Sequence, residues 1–499
     1  MKCETDEQNR DYIKFTDDVL WVGLSQIIIY IISFFTFPVI AKTFGPALYG
    51  LWAQIIVTVG LLTPIITLHL GTAIVRYLSH ESSKNKQSQP FFNMYFLILF
   101  ISLILIVASL FFKNNLSLIL FGTQEFSNYI ILTFIWAGSS SFLLYLISFL
   151  RAKGQIKELS LINIFSYFAK FIPLIIFALL EFPLWYIIIT QIFIEIFFVC
   201  FLTINIVRKI GFNTPNFKNL KKYLQFSIPQ IPSGILLWVI DSSDRYFITN
   251  ILNLMQTGIY SASYTLGATI SAFYIPISFV VFPLISRFWE NKNIEDVKKY
   301  LEYSTKIFLA LAIPSVVGLL IVSEPLLVIL SSAVFASGGG FLTFLIALGM
   351  VLFGLYQINL YVICLVEKTH AIPVIAFLGA LVNIILNLIL IPQMGIMGAA
   401  VSTISAYFLL ALIVLVWAKK EIGYSINRVF LSKIIIVSIL MGLVLKMFPI
   451  NTIIDLFVII IAGLLIYCVG VILIQVFTEE EKKFILIFLK SLKSKIFRD

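Results

Sequence analysis

Long uninterrupted runs of apolar residues alternate with short polar stretches along most of this 499-residue chain. Each run is about 20 residues long, which is the length that an α-helix needs to cross the hydrocarbon core of a bilayer. We count about fourteen such runs, beginning with residues 19–40 and ending with residues 453–477. The pattern predicts an all-α polytopic membrane protein with about 14 transmembrane helices.

Composition supports this interpretation and excludes a water-soluble globular protein. Apolar residues make up 60% of the chain and charged residues 12%, and the mean hydropathy is +1.03. The four cysteines are scattered without metal-ligand or redox spacing, and no glycine-rich loop ends in Lys-Ser or Lys-Thr. We therefore expect no metal site, no cofactor and no ATP hydrolysis by this chain.

The distribution of basic residues predicts the orientation in the membrane. Most of the 35 Lys and Arg residues lie in the two tails and in alternate loops, whereas the opposite loops carry Lys42, Lys113 and Lys446. By the positive-inside rule, both termini are expected to be cytoplasmic, in a multi-pass protein of the cytoplasmic (plasma) membrane. The net charge of +10 then reflects topology and attraction to membrane lipids, and we expect no nucleic-acid partner.

Two segments of the chain are similar to each other. Residues 49–52 (YGLW), at the start of the second span, resemble residues 257–260 (TGIY), at the start of the eighth. The repeat predicts two six-helix bundles around a central cavity, followed by two further helices. The predicted units are an N-terminal bundle (1–207), a cytoplasmic loop between the bundles (208–225), a C-terminal bundle (226–420), two extra transmembrane helices (421–477) and a cytoplasmic basic amphipathic tail (478–499).

The tail has its own helix signals. Thr478 is predicted to cap a helix, with Glu481 completing a capping box. Phe484, Phe488 and Leu492 recur at four-residue spacing among lysines, so the helix is expected to lie on the cytoplasmic leaflet. The alternative is a frayed basic tail.

Short motifs in both halves carry a resemblance to a known family. They are Pro229 and Pro232, residues 243–246 (SDRY), 257–261 (TGIYS), 44–52 (FGPALYGLW), 383–387 (NIILN) and 391–400 (IPQMGIMGAA). Together they resemble the polysaccharide or oligosaccharide repeat-unit flippases of the multidrug/oligosaccharidyl-lipid/polysaccharide (MOP) exporter superfamily. The resemblance spans most of the chain and implies a MATE-like fold.

The same resemblance implies a function. The chain would be a flippase, a transporter rather than an enzyme, that exports polyprenyl-diphosphate-linked oligosaccharides from the inner to the outer leaflet by alternating access. The product would serve surface polysaccharide biosynthesis, as O-antigen, capsule or exopolysaccharide. The lipid-linked oligosaccharide is the implied partner, and a glycan polymerase and chain-length machinery are candidate partners.

Two alternative functions come from other classes. A multidrug or cation exporter of the same superfamily would share the architecture but would display acidic residues in its cavity. A membrane-embedded glycan polymerase would need catalytic residues in sizeable loops, whereas the longest outward loop, 113–128, has roughly 15 residues. Related lipid II flippases carry an Arg-Asp pair in the first span, where this chain has Ser25-Gln26, so a peptidoglycan role is not expected.

Charged residues within apolar runs are the first candidate site residues. Lys170 and Glu195 each lie about 16 Å into their spans, near mid-membrane, where an uncompensated charge costs at least about 2.5 kcal/mol. One interpretation is a structural ion pair between adjacent helices. The other places Lys170 in the cavity as a cation for the phosphates of the cargo.

Asp241, Asp244 and Arg245 lie close together in the apolar run 228–248. Asp241 and Arg245 are four residues apart and could pair on one helical face. Arg245 is a candidate for the cavity lining. The two carboxylates either compensate Arg245 or take part in ion coupling.

Three further residues complete the predicted site. Arg76 is either an ordinary positive-inside anchor or a contact of the cytoplasmic gate. Asn383 and Asn387 share one helical face and serve either helix packing or cargo binding.

Overall fold

The computed structural model describes residues 2–79, 81, 83–217, 220–479 and 481, with the backbone alone described at 2–17, 19–20, 84–85 and 279–280. Within these residues the chain forms seventeen α-helices and no β-strand. The helices are α1 (Lys2–Thr67), α2 (Leu70–Leu78), α3 (Lys84–Phe121), α4 (Ser127–Ala152), α5 (Ile156–Leu179), α6 (Leu184–Ile210), α7 (Leu220–Ser227), α8 (Ile231–Ser242), α9 (Asp244–Ile251), α10 (Leu254–Gly267), α11 (Ser271–Glu290), α12 (Ile294–Leu330), α13 (Ala333–Leu365), α14 (Ala371–Met394), α15 (Ile396–Ile422), α16 (Arg428–Leu445) and α17 (Ile453–Leu473).

Thirteen helices in the described part of the chain are long and apolar enough to cross a membrane. The first of them, Trp21–Thr67, has 47 residues, which is about 70 Å of helix and twice the thickness of a bilayer core. Gly45, with φ 71° and ψ −180°, interrupts its helical backbone, and a proline follows. Because this helix supplies two spans joined at Gly45, the structure agrees with the expected number of about 14.

The segment predicted as one span over residues 228–248 contains two short interruptions of the α-helical pattern. A 3₁₀ turn over Ile228–Gln230 precedes α8, as expected where prolines remove backbone donors. A turn at Ser243 then separates α8 from α9. Ser243 keeps helical backbone angles, φ −68° and ψ −24°, and Asp244 is the first residue of α9.

Residue contacts divide the chain into two compact units. The first contains residues 1–261 together with Asn387–Ile396, and the second contains Ala262–Leu386 and the residues from Met397 onwards. This division falls within α10. The predicted boundaries between bundles, connecting loop and additional helices stay a prediction.

In the first unit, the two similar segments of the sequence pack against each other. Gly50 of α1 and Gly258 of α10 lie at a crossing where the two backbones touch: a Cβ on Gly50 would overlap the carbonyl oxygen of Leu254, and one on Gly258 would overlap that of Pro46. Each helix thus contributes a pair of residues four apart. Small residues permit such close helix approach in membranes, so the sequence repeat corresponds to a reciprocal helix contact.

In the second unit, the last two helices pack on the core. Val322 of α12, Met441 and Leu445 of α16 and Ile459 of α17 form a buried cluster. The hydroxyl of Tyr467 donates a hydrogen bond of 2.7 Å to a backbone carbonyl of α12. Helices α16 and α17 are therefore held to this unit by both apolar and polar contacts.

The start of the C-terminal tail has the predicted capping box. The backbone N–H of Thr478 donates to Glu481 Oε2 at 2.8 Å, and the N–H of Glu481 donates to Thr478 Oγ1 at 3.4 Å. Glu481 also pairs with Lys306 of α12 at 2.6 Å. The amphipathic helix predicted after this point lies outside the described residues.

The glycine crossing leads to a stability prediction. Gly50→Ala and Gly258→Ala should each destabilise the protein by about 1–3 kcal/mol, because the added methyl group meets backbone atoms that cannot move aside. Gly60→Ala, also in α1, is the matched control, since its Cβ would lie 3.7 Å from the Trp238 indole nitrogen in ordinary contact. The measurement is the melting temperature of the purified protein in detergent. Equal melting temperatures for all three variants would contradict the close contact.

Candidate functional site

Lys170 and Glu195 face each other across the hairpin of α5 and α6. The connection between these helices spans only residues 180–183, so residues at similar distances before and after it lie side by side. Lys170 Nζ lies 2.6 Å from Glu195 Oε1, and the side chains are 17% and 5% exposed. The predicted contact between the two charges is therefore present.

A third helix completes the environment of Glu195. The hydroxyls of Ser139 and Ser140, both on α4, donate to Glu195 Oε2 at 2.8 and 2.9 Å. The side-chain amide of Gln191 donates to the backbone carbonyl of Lys170 at 2.9 Å. Both carboxylate oxygens are thus hydrogen-bonded, which is what a buried anion requires. Three helices of the first unit are joined by this polar cluster.

Asp244 and Arg245 form a second buried ion pair. Asp244 is 0% exposed and Arg245 6%, and Arg245 Nη1 lies 3.2 Å from Asp244 Oδ1. The same carboxylate oxygen accepts the backbone N–H of Arg245 at 2.8 Å. The hydroxyl of Tyr260 donates to the other oxygen, Oδ2, and the guanidinium lies 5.7 Å from the Tyr260 ring centre.

Asp241 contributes to this cluster through its backbone. Its carbonyl oxygen accepts a hydrogen bond of 3.0 Å from Arg245 Nη1, and its carboxylate accepts one of 3.1 Å from the Ser242 hydroxyl. Asp241 thus lies next to Arg245, four residues away in the sequence. The carboxylate contact described above comes from Asp244, the first residue of α9.

Arg76 is exposed on α2. Among the described residues, no carboxylate lies within salt-bridge distance of it. Its guanidinium lies 4.3 Å from the ring centre of Phe226 and 5.6 Å from that of Tyr77. Arg76 therefore belongs to an aromatic contact between α2 and α7. This contact was not expected from the sequence.

Asn383 and Asn387 are both fully buried on α14. Within the second unit, the Asn383 side-chain amide donates to Thr403 Oγ1 of α15 at 3.3 Å. This contact between helices is of the kind that the packing alternative describes. The candidate residues thus fall into four groups. These are the Lys170–Glu195 pair, the cluster of Asp241, Asp244 and Arg245, Arg76 beside α7, and the two asparagines of α14.

A cavity with several polar residues in its lining was not predicted from the sequence. It has a volume of about 340 Å³ and lies among α1, α2 and α4 of the first unit, with His69, Ser148 and Arg151 in its lining. Arg151 is exposed, and among the described residues it has no carboxylate within 4.0 Å. No local motif marks this cavity, because its residues come from three separate helices.

Another missed residue is Gln54 of α1. It is fully buried, and neither polar atom of its side chain has a hydrogen-bond partner in the described part of the chain. One turn later, Thr58 shares a hydrogen bond of 2.7 Å with the hydroxyl of Tyr246, next to Arg245. The polar side of α1 thus reaches the Asp244–Arg245 cluster.

The Asp244–Arg245 pair allows the stability contribution of a buried ion pair to be compared with that of an exposed one. Asp244→Ala removes the carboxylate contact that Asp244 makes with the buried Arg245 and should cost about 3–5 kcal/mol of stability. Glu158→Ala removes an exposed pair with Lys209, 3.4 Å long, and should cost at most about 1 kcal/mol. Melting temperatures of the two purified variants provide the comparison. A loss for Asp244→Ala no larger than that of the control would show that the buried pair is not structural.

Known structures establish the fold class. A lipid II flippase, MurJ, in an inward closed conformation is similar with a TM-score of 0.75 and 20% identity, over 91% of this chain and 98% of that one. An inward-facing multidrug resistance transporter of the MATE family gives a TM-score of 0.65 and 12% identity, over 79% of this chain and 94% of that one. The expected all-α, MATE-like fold of a multi-pass membrane protein is confirmed.

Sequence comparison establishes the family. The probable low-salt glycan biosynthesis flippase Agl15 of Haloferax volcanii is 24% identical over 279 residues, covering 54% of this chain and 58% of that protein. The chain thus matches little more than half the length of this relative. The model of the polysaccharide biosynthesis protein family matches residues 15–289, more than half of the chain, which confirms the resemblance drawn from the motifs. The chain belongs to the polysaccharide biosynthesis protein family of the MOP superfamily.

Proposed function

We propose that this protein is a flippase that moves polyprenyl-diphosphate-linked oligosaccharides from the inner to the outer leaflet for surface polysaccharide biosynthesis. The observation that carries the proposal is the family match over residues 15–289. The relative Agl15 is itself named a probable glycan biosynthesis flippase, which supports the same class of cargo. The protein would act as a transporter without catalysing a chemical reaction.

The proposed location is the cytoplasmic membrane, with both termini in the cytoplasm. This orientation rests on the excess of Lys and Arg in alternate loops. The cargo would be loaded on the side where these basic residues lie. A glycan polymerase and chain-length machinery would act on the delivered product.

Lys170 is the proposed contact for a cargo phosphate. An ammonium group has three donors, and among the described residues Glu195 accepts one of them. Lys170 is also the more exposed member of the pair, at 17% against 5%. Glu195 and its two serine donors would therefore hold Lys170 in place while two donors remain for phosphate oxygens.

Arg151 is the proposed point of first contact with the headgroup. It lines a cavity of about 340 Å³ together with the hydroxyl of Ser148 and the ring of His69. This volume is within the range of small-ligand sites. Since Arg151 lies at the end of α4 that the positive-inside rule places in the cytoplasm, a diphosphate approaching from that side would meet it early.

The membrane potential could supply the driving force. Moving one charge through 100 mV is worth about 2.3 kcal/mol, so a diphosphate with two negative charges gains about 4.6 kcal/mol on leaving a negative interior. This gain exceeds the typical allosteric coupling energy of about 1–3 kcal/mol. The acidic residues Asp241 and Asp244 would then stabilise Arg245, and no coupling ion would be required.

A charge reversal tests the role of Lys170. Lys170→Glu should reduce surface glycan per molecule of protein at least about tenfold, because a carboxylate repels phosphate. The double variant Lys170→Glu with Glu195→Lys rebuilds an ion pair with the charges exchanged. We expect it to restore protein level and melting temperature but not export, measured by lectin binding to intact cells.

The same double variant can also contradict the role of Lys170 as a cargo contact. Export at the wild-type rate from the exchanged pair would show that Lys170 and Glu195 are needed only as an ion pair. That result would remove Lys170 from the cargo site and would leave the proposed cargo class untouched.

A second substitution tests the cavity beside α4. Arg151→Gln should slow export about three- to tenfold at normal protein level, since it removes the cation that attracts the diphosphate. Arg208→Gln is the matched control, because Arg208 is also an exposed arginine at the end of a helix in the same unit. Equal export rates for the two variants would exclude Arg151 as a specific contact.

A further inference from the structure

Helix α7 is a short amphipathic helix at the start of a candidate membrane span. It comprises Leu220–Ser227 and leads into α8 within the candidate span Leu220–Ser242. Tyr223 and Ser227 are buried, whereas Lys221 and Lys222 are exposed. A helix with one apolar and one basic side is typical of a membrane surface.

One side of α7 packs on α2 through aromatic rings that carry two cations. Tyr77 of α2 contacts Tyr223 and Phe226 of α7, with ring centres 5.4 and 5.8 Å apart. Arg76 lies over Phe226 at 4.3 Å, and Lys222 lies over Tyr77 at 4.6 Å. Rings hold both cations in place and leave their hydrogen-bond donors available to an anion.

In the described part of the chain, the cations on this side make no salt bridge. Within the described residues, neither Arg76 nor Lys222 has a carboxylate oxygen within 4.0 Å, and the same is true of Lys221. Glu81, on the segment after α2, is close enough to Tyr223 of α7 and to Lys153 for an electrostatic interaction, and its backbone carbonyl accepts a hydrogen bond from Lys153 Nζ. The α7 surface is therefore a cluster of three cations.

Beside these cations lies an apolar groove. Its volume is about 600 Å³. The groove is lined by Phe217, Leu220, Leu224 and Ile228, and Lys221 also contributes to the lining. Phe217 and Ile228 are about half exposed, at 51% and 45%. An apolar groove of this kind next to a cationic cluster matches the two chemical parts of a phospholipid.

We propose that the groove of α7 binds one anionic phospholipid of the cytoplasmic leaflet. An acyl chain would lie along Leu220, Leu224 and Ile228, and the phosphate would be bound by Lys221 and Lys222, with Arg76 beside them. The location supports a lipid rather than a soluble anion, because α7 begins a membrane span. Anionic lipids attract Lys and Arg at a membrane surface through their charge.

A lipid bound here would have a structural consequence. Helix α7 belongs to the connection between α6 and α8, and the lipid would hold that connection at the membrane surface. The phospholipid proposed here stays bound to the protein, and its binding does not depend on which cargo the protein transports. The proposal rests on the contacts of α2 and α7 and on the predicted cytoplasmic position of this surface.

Native mass spectrometry of the full-length protein in detergent tests the proposal. The delipidated protein is titrated with phosphatidylglycerol and, separately, with phosphatidylcholine. We expect one phosphatidylglycerol to bind more tightly than any phosphatidylcholine. The double variant Lys221→Gln with Lys222→Gln should weaken this binding about 30-fold, as expected for the loss of two surface cations.

A matched double variant provides the control. Lys419 and Lys420 are likewise adjacent exposed lysines at a helix end, so Lys419→Gln with Lys420→Gln removes the same charge and should leave the phosphatidylglycerol site intact. Equal loss in both double variants, or equal affinity for the two lipids, would overturn the proposal. Displacement of phosphatidylglycerol by equimolar polyprenyl diphosphate would also overturn it, since the groove would then be a cargo site.

Discussion

Ionised side chains inside a bilayer are stable only when a partner of opposite charge and further hydrogen bonds accompany them. Both charged clusters of the first unit meet this condition. Glu195 is bonded by Lys170 and by two serine hydroxyls, and Asp244 by Arg245 and by Tyr260. The Lys170–Glu195 pair thus joins α5 to α6, whereas the Asp244–Arg245 pair lies within α9 and reaches α10 through Tyr260. A transport role for Lys170 or Arg245 must therefore work through a paired cation.

Paired cations can still recognise an anion. A lysine held by one carboxylate keeps two donors, and a fixed donor needs less reorganisation when a phosphate arrives than a mobile one. In the proposed mechanism, Glu195 therefore positions Lys170, whereas the exposed Arg151 supplies attraction at longer range. Both clusters belong to the first unit, where Gly50 and Gly258 bring two helices into backbone contact.

Much of the fold could be predicted from the sequence, because continuous apolar runs of membrane length leave few alternatives to a helical bundle. The contact of Lys170 with Glu195 was predictable too, since a short connection forces α5 and α6 to be antiparallel. The serine donors from α4 were not, because no periodicity relates them to α6. The contact of Asp244 with Tyr260 of α10 is equally hard to foresee. These two residues are 16 positions apart, and no local spacing relates them.

The central claim, that the protein moves an anionic lipid-linked glycan across the bilayer, is tested most directly in proteoliposomes. Polyprenyl-diphosphate oligosaccharide is incorporated in both leaflets, a potassium gradient with valinomycin makes the interior about 100 mV negative, and a lectin added outside measures the accessible glycan. The accessible fraction should rise from about half towards completion, as the gain of about 4.6 kcal/mol for two charges predicts. An accessible fraction equal to that of protein-free vesicles would contradict the account.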